Sequence, residues 1–182
     1  TEAALVSYAK SRGIDKKFLT ENNPRVKEFV FDSERKMMSI VRRGRKAEGG
    51  RPIMTSYVKG APLKVLERCT KELVGTRFRM ISKERKLELV RISQEMEKRG
   101  LRVLGFGFRQ VRSINQKECE NNLIFAGLVG MIDPPRPEVK DAVKEAVAAG
   151  IDIRIITGDS ALTTAAIAKK IGIKGGAISG GE

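Results

Sequence analysis

The stretch VKEFVFDSERKMMSIV, residues 26–41, contains two apolar runs separated by a short polar segment. VKEFVF and KMMSIV are rich in the β-branched and aromatic residues that favour strands, and DSER supplies the turn between them. A third run, MTSYVK at residues 54–59, follows after a long polar loop. Three such runs in succession predict an antiparallel β-meander, which gives the first part of the chain an antiparallel sheet.

Helical patterns flank this meander and make the first part of the chain an α+β domain. TEAALVSYAKSRG, residues 1–13, has apolar positions at helical spacing and stops at a glycine, whereas DKKFLTENNP, residues 15–24, is predicted as a loop. Ser82 is the predicted N-cap of a second long helix, residues 83–99. The run LRVLGFGFRQV, residues 101–111, then predicts another strand, whose glycines leave one side bare for close approach by a ligand or a neighbouring backbone.

The pattern changes near Ile132. From LIFAGLVGMID onward the order is strand, helix (PEVKDAVKEAVAAG), strand (IDIRIITGD), helix (SALTTAAIAKKIG), which is typical of a doubly wound parallel sheet. The connector DPPRP, residues 133–137, has three prolines and is therefore stiff. We therefore predict a domain boundary here, between residues 1–132 and 133–182, and we expect both parts to belong to a longer protein.

The composition of the chain predicts affinity for partners that carry negative charge. The net charge of +14 predicts affinity for nucleic acid, acidic membrane or phosphorylated small molecules. The densest basic run, RRGRKAEGGR, contains no aromatic residue and is predicted to be a solvated hairpin loop rather than a base-stacking surface. Two cysteines without CxxC spacing indicate reduced thiols, and no apolar run is long enough to span a membrane.

Three local patterns point to a phosphate-bearing ligand, although each is weak by itself. In VKGAP a lysine, Lys59, ends a strand just before Gly60 forces a turn, and by itself such a lysine is more often a solvated strand tip. In FDSERKMM the chain returns after Phe31 and could place Lys36 near an aromatic ring, the alternative being that Phe31 is a core residue and Lys36 a turn charge. In IITGDS the triad of residues 157–159 follows an apolar strand and opens a helix, a position that favours phosphate, and Asp159 is also the predicted cap of that helix.

The order of the motifs along the chain is more specific than any one of them. Together they resemble the cytoplasmic half of a P-type cation-transporting ATPase of the calcium and sodium/potassium pump branch, over nearly the whole sequence. The matching segments are TEAAL from Thr1, FDSERKMMS from Phe31, KGAP from Lys59, LRVLGFG from Leu101, GMIDPPRPEV from Gly130 and ITGDS from Ile156.

This resemblance implies an ATP-binding domain over residues 1–132, without its first part, and a partial phosphorylation domain over residues 133–182. The second domain would have the haloacid-dehalogenase type of Rossmann-like fold. Matched position by position, Glu2 should lie near the adenine amino group and Phe31 should stack on the adenine ring. The pocket should also be lined by Lys36, Lys59 and Gly60.

The resemblance implies roles for residues further along the chain as well. Arg102 should reach toward the phosphates, and the TGD loop should meet the terminal phosphate when the two domains close. The residues of that loop are Thr157, Gly158 and Asp159. The hinge between the domains is matched by Asp133, Pro134, Pro135 and Arg136.

Two departures concern single positions, and two concern whole motifs. Leu63 stands where the family usually has an acidic residue, and Val30 where many relatives have proline. The phosphorylated-aspartate motif DKTGT and the magnesium-binding motif GDGxND are both absent from this sequence. We therefore expect no catalytic or metal-binding residue here, and an isolated chain that is inactive although the complete enzyme uses ATP and Mg²⁺.

The expected partners are ATP and the remainder of the same pump, namely the rest of the phosphorylation domain, the actuator domain and the membrane helices. The chain should be a cytoplasmic part of an integral membrane protein and soluble by itself. Two alternatives remain: a basic nucleic-acid-binding protein, motivated by the net charge, and a stand-alone phosphatase of the haloacid-dehalogenase type. The second is weakened by the missing nucleophile, and we expect no nucleic-acid partner.

Overall fold

A computed structural model describes residues 1–46 and 52–178, and a seven-stranded sheet dominates the first part of the chain. The meander predicted from residues 26–59 is confirmed as its first three strands. The strands are β1 (Arg25–Asp32), β2 (Met37–Lys46), β3 (Pro52–Gly60), β4 (Cys69–Val74), β5 (Arg77–Met80), β6 (Arg102–Val111) and β7 (Leu123–Met131). The prediction of a solvated loop over the basic run is wrong for residues 42–46, because they belong to β2 and pair with β3. The tip of that run, residues 47–51, lies outside the described residues.

The sheet is mixed rather than wholly antiparallel. Its strand order is β1-β2-β3-β6-β7-β4-β5, and β1–β2, β2–β3, β3–β6 and β4–β5 pair antiparallel. However, β4 and β7 pair in parallel, with Cys69 opposite Leu123. The prediction of an antiparallel sheet is wrong for this pair, because a long connection through β5, a helix and β6 returns the chain in the same direction.

Helices flank the sheet and continue the chain beyond it. They are α1 (Glu2–Ser11), α2 (Lys16–Asn22), α3 (Pro62–Glu67), α4 (Lys83–Lys98), α5 (Gln116–Cys119), α6 (Val139–Ala148) and α7 (Ala161–Ile171). The loop predicted over residues 15–24 is wrong, because the Asp15 carboxylate accepts hydrogen bonds from the amides of Lys17 and Phe18 and caps α2. The predicted cap of α4 is confirmed, since Ser82 Oγ accepts from the Arg85 amide at 3.1 Å.

The chain divides into two compact units. The first unit comprises Thr1–Glu88 with Leu104–Val129, and the second comprises Leu89–Val103 with Gly130–Glu182. Both α4 and β6 therefore begin in one unit and end in the other. Among the described residues, no helix combines the length and apolar character that crossing a bilayer requires.

The core of the first unit lies on one face of the sheet. Along β2, Met37, Ser39 and Val41 are buried while the side chains between them remain partly exposed, as strand alternation requires. Val41 packs with Val111 and Cys119, and the cluster is completed by the partly buried Phe29 and Met54. This packing leaves the opposite face, which carries Met38 and Lys59, available for other contacts.

The glycine-bearing side of β6 is filled by neighbouring atoms. A Cβ at Gly105 would lie 3.2 Å from the Pro62 Cα, and one at Gly107 would lie 3.3 Å from a Leu123 methyl group. Of the two partners suggested by sequence for this bare side, a neighbouring segment of the chain is therefore the one that occupies it. The close approach seats the start of α3 directly against the sheet.

Two buried groups of the first unit lie away from the predicted site. Burial raises the pKa of the Cys69 thiol to about 12, so this free cysteine is a poor nucleophile at neutral pH. Burial alone would raise the pKa of the Glu72 carboxyl as well, but hydrogen bonds from Arg79 and Arg85 outweigh it and lower that pKa. The Glu72 pairs tie β4 to β5 and to the start of α4.

In the second unit, α7 packs against the segment that follows α4. Thr163 Oγ1 donates to the Leu101 carbonyl at 3.0 Å, and Lys170 Nζ donates to the Arg99 carbonyl at 3.2 Å. Ser160 caps α7 by accepting from the Thr163 amide, so the expectation that Asp159 would be the cap is wrong. A hydroxyl one residue later in the chain fulfils that role because it alone reaches the first-turn amide.

The strand predicted over residues 151–159 is also wrong. The structure describes these residues without strand pairing, and Ile156 is 98% exposed. A parallel strand forms only when a neighbouring strand satisfies its backbone groups. The apolar run IDIRII therefore lies unpaired in the described chain, although its composition favours a strand.

Candidate functional site

The turn between β1 and β2 determines where Phe31 and Lys36 lie. The Asp32 carboxylate accepts hydrogen bonds from the Glu34 amide at 3.1 Å and the Arg35 amide at 2.8 Å, which fixes a local turn. Lys36 then adopts a left-handed conformation, with φ of 52°, and its amide donates to the Asp32 carbonyl at 2.7 Å. This conformation is costly for a residue with a Cβ, so the turn is held by its hydrogen bonds.

A β-bulge just before this turn exposes Phe31. Phe29 pairs with Ser39 and Asp32 pairs with Met37, so that Val30 and Phe31 together face the single residue Met38. Phe29 packs into the core, whereas Phe31 is 62% exposed. The interpretation of Phe31 as a core residue is therefore excluded, and its ring is accessible for stacking.

The KGAP corner lies against the same turn. Across β2 and β3, Met38 pairs with Lys59 and Met37 pairs with Gly60. A Cβ at position 60 would collide with the Lys36 carbonyl oxygen and with Met37, so only glycine fits. The Ala61 amide donates to that same Lys36 carbonyl at 2.9 Å, which locks the two turns together.

Lys59 is not a solvated strand tip, because its ammonium forms an ion pair with the Glu2 carboxylate. The Lys59 side chain is only 20% exposed, whereas that of Glu2, in the first turn of α1, is 71% exposed. The sequence-predicted residues of the first unit are thus gathered around two interlocked turns. A row of cross-strand partners links them, running from Phe31 through Met38 and Lys59 to Phe106.

The role of Met38 in this row was not identified from the sequence. Its side chain stands between the bulge and Lys59, one strand from each, on the face opposite the core. The signal that could have identified it is the register of the hairpin: once Met37 is assigned to the core, alternation places Met38 on the opposite, partly exposed face. Phe106 follows from the same argument, since it pairs with Lys59.

The predicted residues of the second unit also come together. Arg102, at the start of β6, has its Nε 3.5 Å from Asp159 Oδ1. The Thr157 hydroxyl accepts a hydrogen bond from the Asp159 amide at 3.1 Å, which closes the TGD loop on itself. Gly158 has no atom within 4 Å of where its Cβ would lie, so the tip of the loop is open. An arginine beside a small open loop can contact an anion.

The DPPRP connector lies between β7 and α6 without regular structure. Its described conformation contains one backbone hydrogen bond to the following helix, from the Val139 amide to the Arg136 carbonyl at 3.1 Å. A hinge at residues 133–136 stays a prediction. Within residues 1–46 and 52–178, no three His, Cys, Asp or Glu side chains are grouped so that they could hold a metal ion.

Comparison with known proteins places these features in a family. The model of the family "P-type ATPase, cytoplasmic domain N" matches residues 1–138. Calcium-transporting ATPase 1 of Bacillus cereus is 41% identical over 175 residues, which cover 95% of this chain and 19% of that protein. The sodium/potassium-transporting ATPase subunit alpha-4 of Homo sapiens is 35% identical over 184 residues, covering 95% and 18%.

The similarity extends to a plant protein. Calcium-transporting ATPase 7, plasma membrane-type, of Oryza sativa is 34% identical over 183 residues, which cover 97% of this chain and 17% of that protein. The chain therefore spans about a fifth of the length of these curated relatives.

Proposed function

The chain belongs to the P-type ATPase family, whose cytoplasmic domain N it carries, and from this premise we propose that it binds ATP for a pump that couples ATP hydrolysis to cation transport across a membrane. The observation that carries the proposal is the exposed Phe31 ring on a bulge beside two lysines. The relatives named above are themselves calcium-transporting or sodium/potassium-transporting ATPases.

In this proposal the adenine base stacks on the Phe31 ring, and its amino group lies near the Glu2 carboxylate. Lys36 and Lys59 supply positive charge along the pocket, and Gly60 lines it through its backbone while it admits the Lys36 turn on the side where a Cβ would lie. Base–aromatic stacking tolerates any base, so the ring supplies affinity more than specificity. The exposed, hydrogen-bonded turn that carries Phe31 supports this assignment.

We assign phosphate contacts to the remaining sequence-predicted residues. Arg102 would neutralise phosphate charge, and the open TGD loop, Thr157 to Asp159, would contact the terminal phosphate. Arg102 already has a carboxylate neighbour in Asp159, at 3.5 Å, which an incoming phosphate would replace or share. Hydrogen bonds to charged groups in such sites are about twice as strong as neutral ones.

We further propose the domain boundary at residues 132 and 133, with DPPRP as the hinge. The family model for domain N, which ends at residue 138, supports it. Residues 133–182 would then be part of a haloacid-dehalogenase-like phosphorylation domain. The exposed, unpaired run IDIRII supports this proposal, because its composition favours a strand. Other parts of the complete protein would supply the strands that pair with it.

The complete pump would transfer the terminal phosphoryl group of ATP to an aspartate outside this sequence, forming an acyl phosphate. Mg²⁺ would accompany that reaction by neutralising phosphate charge. The described residues do not provide three grouped carboxylate, histidine or cysteine ligands for the ion. The contribution of this chain is therefore to bind and orient ATP, with the acceptor supplied by the rest of the enzyme.

The chain alone is therefore expected to form no phosphoenzyme. After incubation with terminally labelled ATP and Mg²⁺ and an acid quench, the protein should carry no label. An acid-stable label that hydroxylamine removes would contradict this expectation, because it would place an acyl phosphate on Asp133, Asp159 or another carboxylate of this chain.

A nucleic-acid-binding function is the alternative that the net charge of +14 motivates. Titration calorimetry distinguishes the two: we expect ATP to bind saturably with one molecule per chain, and a single-stranded oligonucleotide not to displace it. If the chain instead prefers the oligonucleotide, with an affinity that falls steeply as salt rises, it binds phosphate backbones nonspecifically. Absence of ATP binding by the folded chain would refute the proposed function.

A further inference from the structure

A buried carboxylate lies behind the proposed adenine site. Glu120, which directly follows α5, is 1% exposed. Its Oε1 accepts a hydrogen bond from Arg35 Nη1 at 2.5 Å and another from Ser39 Oγ at 2.8 Å. A carboxylate is buried in this way only when a charged partner compensates for its lost hydration. Arg35 is therefore held where Glu120 requires it.

The same arginine holds the bulge and the turn that present Phe31. Its Nη2 donates to the Val30 carbonyl at 2.8 Å, which is the peptide group directly before Phe31. Its Nε lies 3.7 Å from the Asp32 carboxylate, which caps the turn leading to Lys36. One guanidinium thus links a buried carboxylate, 85 positions away along the chain, to the backbone on both sides of the exposed ring.

The ion pair, rather than packing, keeps this guanidinium in place. A cavity of about 400 Å³ opens beside it, lined by Arg35, Arg68, Gln116, Lys117, Glu120 and Asn121. With its amide oxygen turned toward Arg35, Gln116 in that lining accepts from the Nε and Nη1 of the guanidinium at 3.0 Å. This neutral contact is weaker than the ion pair, and the open volume offers the Arg35 side chain room to move. Without the Glu120 charge, the Arg35 rotamer that reaches the Val30 carbonyl loses its main anchor.

We propose that Glu120 and Arg35 are positioning residues of the nucleotide site. They hold the Phe31 ring in its stacking orientation from behind the sheet, without touching the nucleotide. This inference rests on the proposed ATP-binding function and extends it to a residue that no motif in the sequence identifies.

The test uses Glu120→Gln, which preserves the shape of the side chain and removes its charge. ATP and inorganic triphosphate, which has no base, are titrated into the parent and the variant. We expect ATP binding to weaken by up to about tenfold, and by no more than Phe31→Ala weakens it. Triphosphate binding should stay within about twofold, because a charge change at the ring's support does not alter the phosphate contacts.

A second variant and a double variant make the test independent of folding. Arg35→Lys keeps the charge but cannot donate to Glu120, Val30 and Asp32 at once, and it should show the same selective loss of ATP binding. In the Phe31→Ala background, Glu120→Gln should have no further effect on ATP, since the two act through the same ring.

The matched control is Glu72→Gln, which alters another buried carboxylate of the sheet that is paired with two arginines. This variant should lower the melting temperature while leaving the ratio of ATP to triphosphate affinity unchanged. Equal weakening of both ligands by Glu120→Gln, or unchanged ATP binding, would overturn the inference. If ATP binding by the parent depends on Phe31 while Glu120→Gln has no effect, the proposed function stands and only the positioning role is lost.

Discussion

The Phe31→Ala variant is expected to bind ATP about 5- to 150-fold more weakly than the parent chain, because stacking of a base on an aromatic side chain contributes about 1–3 kcal/mol. The ring is 62% exposed, so its removal should leave the free energy of unfolding within about 0.5 kcal/mol of the parent value. Titration calorimetry measures the affinity, and urea unfolding followed by circular dichroism measures the stability.

The control for this variant is Val30→Ala, which alters the neighbouring side chain on the same bulge. Val30 is 68% exposed and has no ring, so its truncation should leave ATP affinity close to that of the parent. If Phe31→Ala and the parent bind ATP with equal affinity, the assignment of the adenine site is wrong. A similar loss in both variants would instead indicate that the bulge conformation, rather than stacking, determines the affinity.

The Gly60→Ala variant is expected to lower the free energy of unfolding by about 1–3 kcal/mol, as overpacking of well-packed sites does. The added methyl group would meet the Lys36 carbonyl oxygen and would lie 2.7 Å from the Met37 Cα. These are backbone atoms of the paired strand, so they can move away only by opening the Met37–Gly60 pair and the hydrogen bond from Ala61 to Lys36. ATP binding should weaken as well, because both turns of the site shift.

Gly44→Ala is the matched control, since Gly44 lies in the neighbouring strand of the same sheet. Its nearest neighbours would be 3.4 Å from the new Cβ, an ordinary contact, and no positive φ is required there. The urea midpoint of this variant should therefore stay near that of the parent. Equal midpoints for Gly60→Ala and Gly44→Ala would show that the two turns are not interlocked as described.

Elements with strong periodicity were predictable from the sequence, and those that depend on distant partners were not. The meander over residues 26–59 and helix α4 follow from alternation and from the Ser82 cap. Strands β4 and β5 were missed, because charged residues interrupt CTKELV and RFRM and every residue of β5 is exposed. The run IDIRII was predicted as a strand on composition, yet no partner strand within the described chain pairs with it.

The residues of the candidate site divide in the same way, into those that the sequence predicts and those that depend on distant partners. The motif FDSERKMM identifies Phe31 as a candidate. However, only the bulge, which shifts the strand alternation by one position, exposes its ring instead of burying it with Phe29. Gly60 was predictable as a turn residue, whereas its contact with Lys36 depends on the strand register. Glu120 lies in a polar segment without a recognisable pattern, so only the folded chain connects it to Arg35.

The ion pair between Glu2 and Lys59 means that the free pocket contains its own counterion. In the proposed site, ATP binding is then an exchange reaction, in which a phosphate or the base edge competes with a tethered carboxylate for one ammonium group. Such an exchange releases fewer mobile ions than the charge of the pocket suggests, so ATP affinity should fall only gently with added salt. It also excludes weak anions, because a ligand gains nothing at Lys59 unless it binds the ammonium more favourably than Glu2 does.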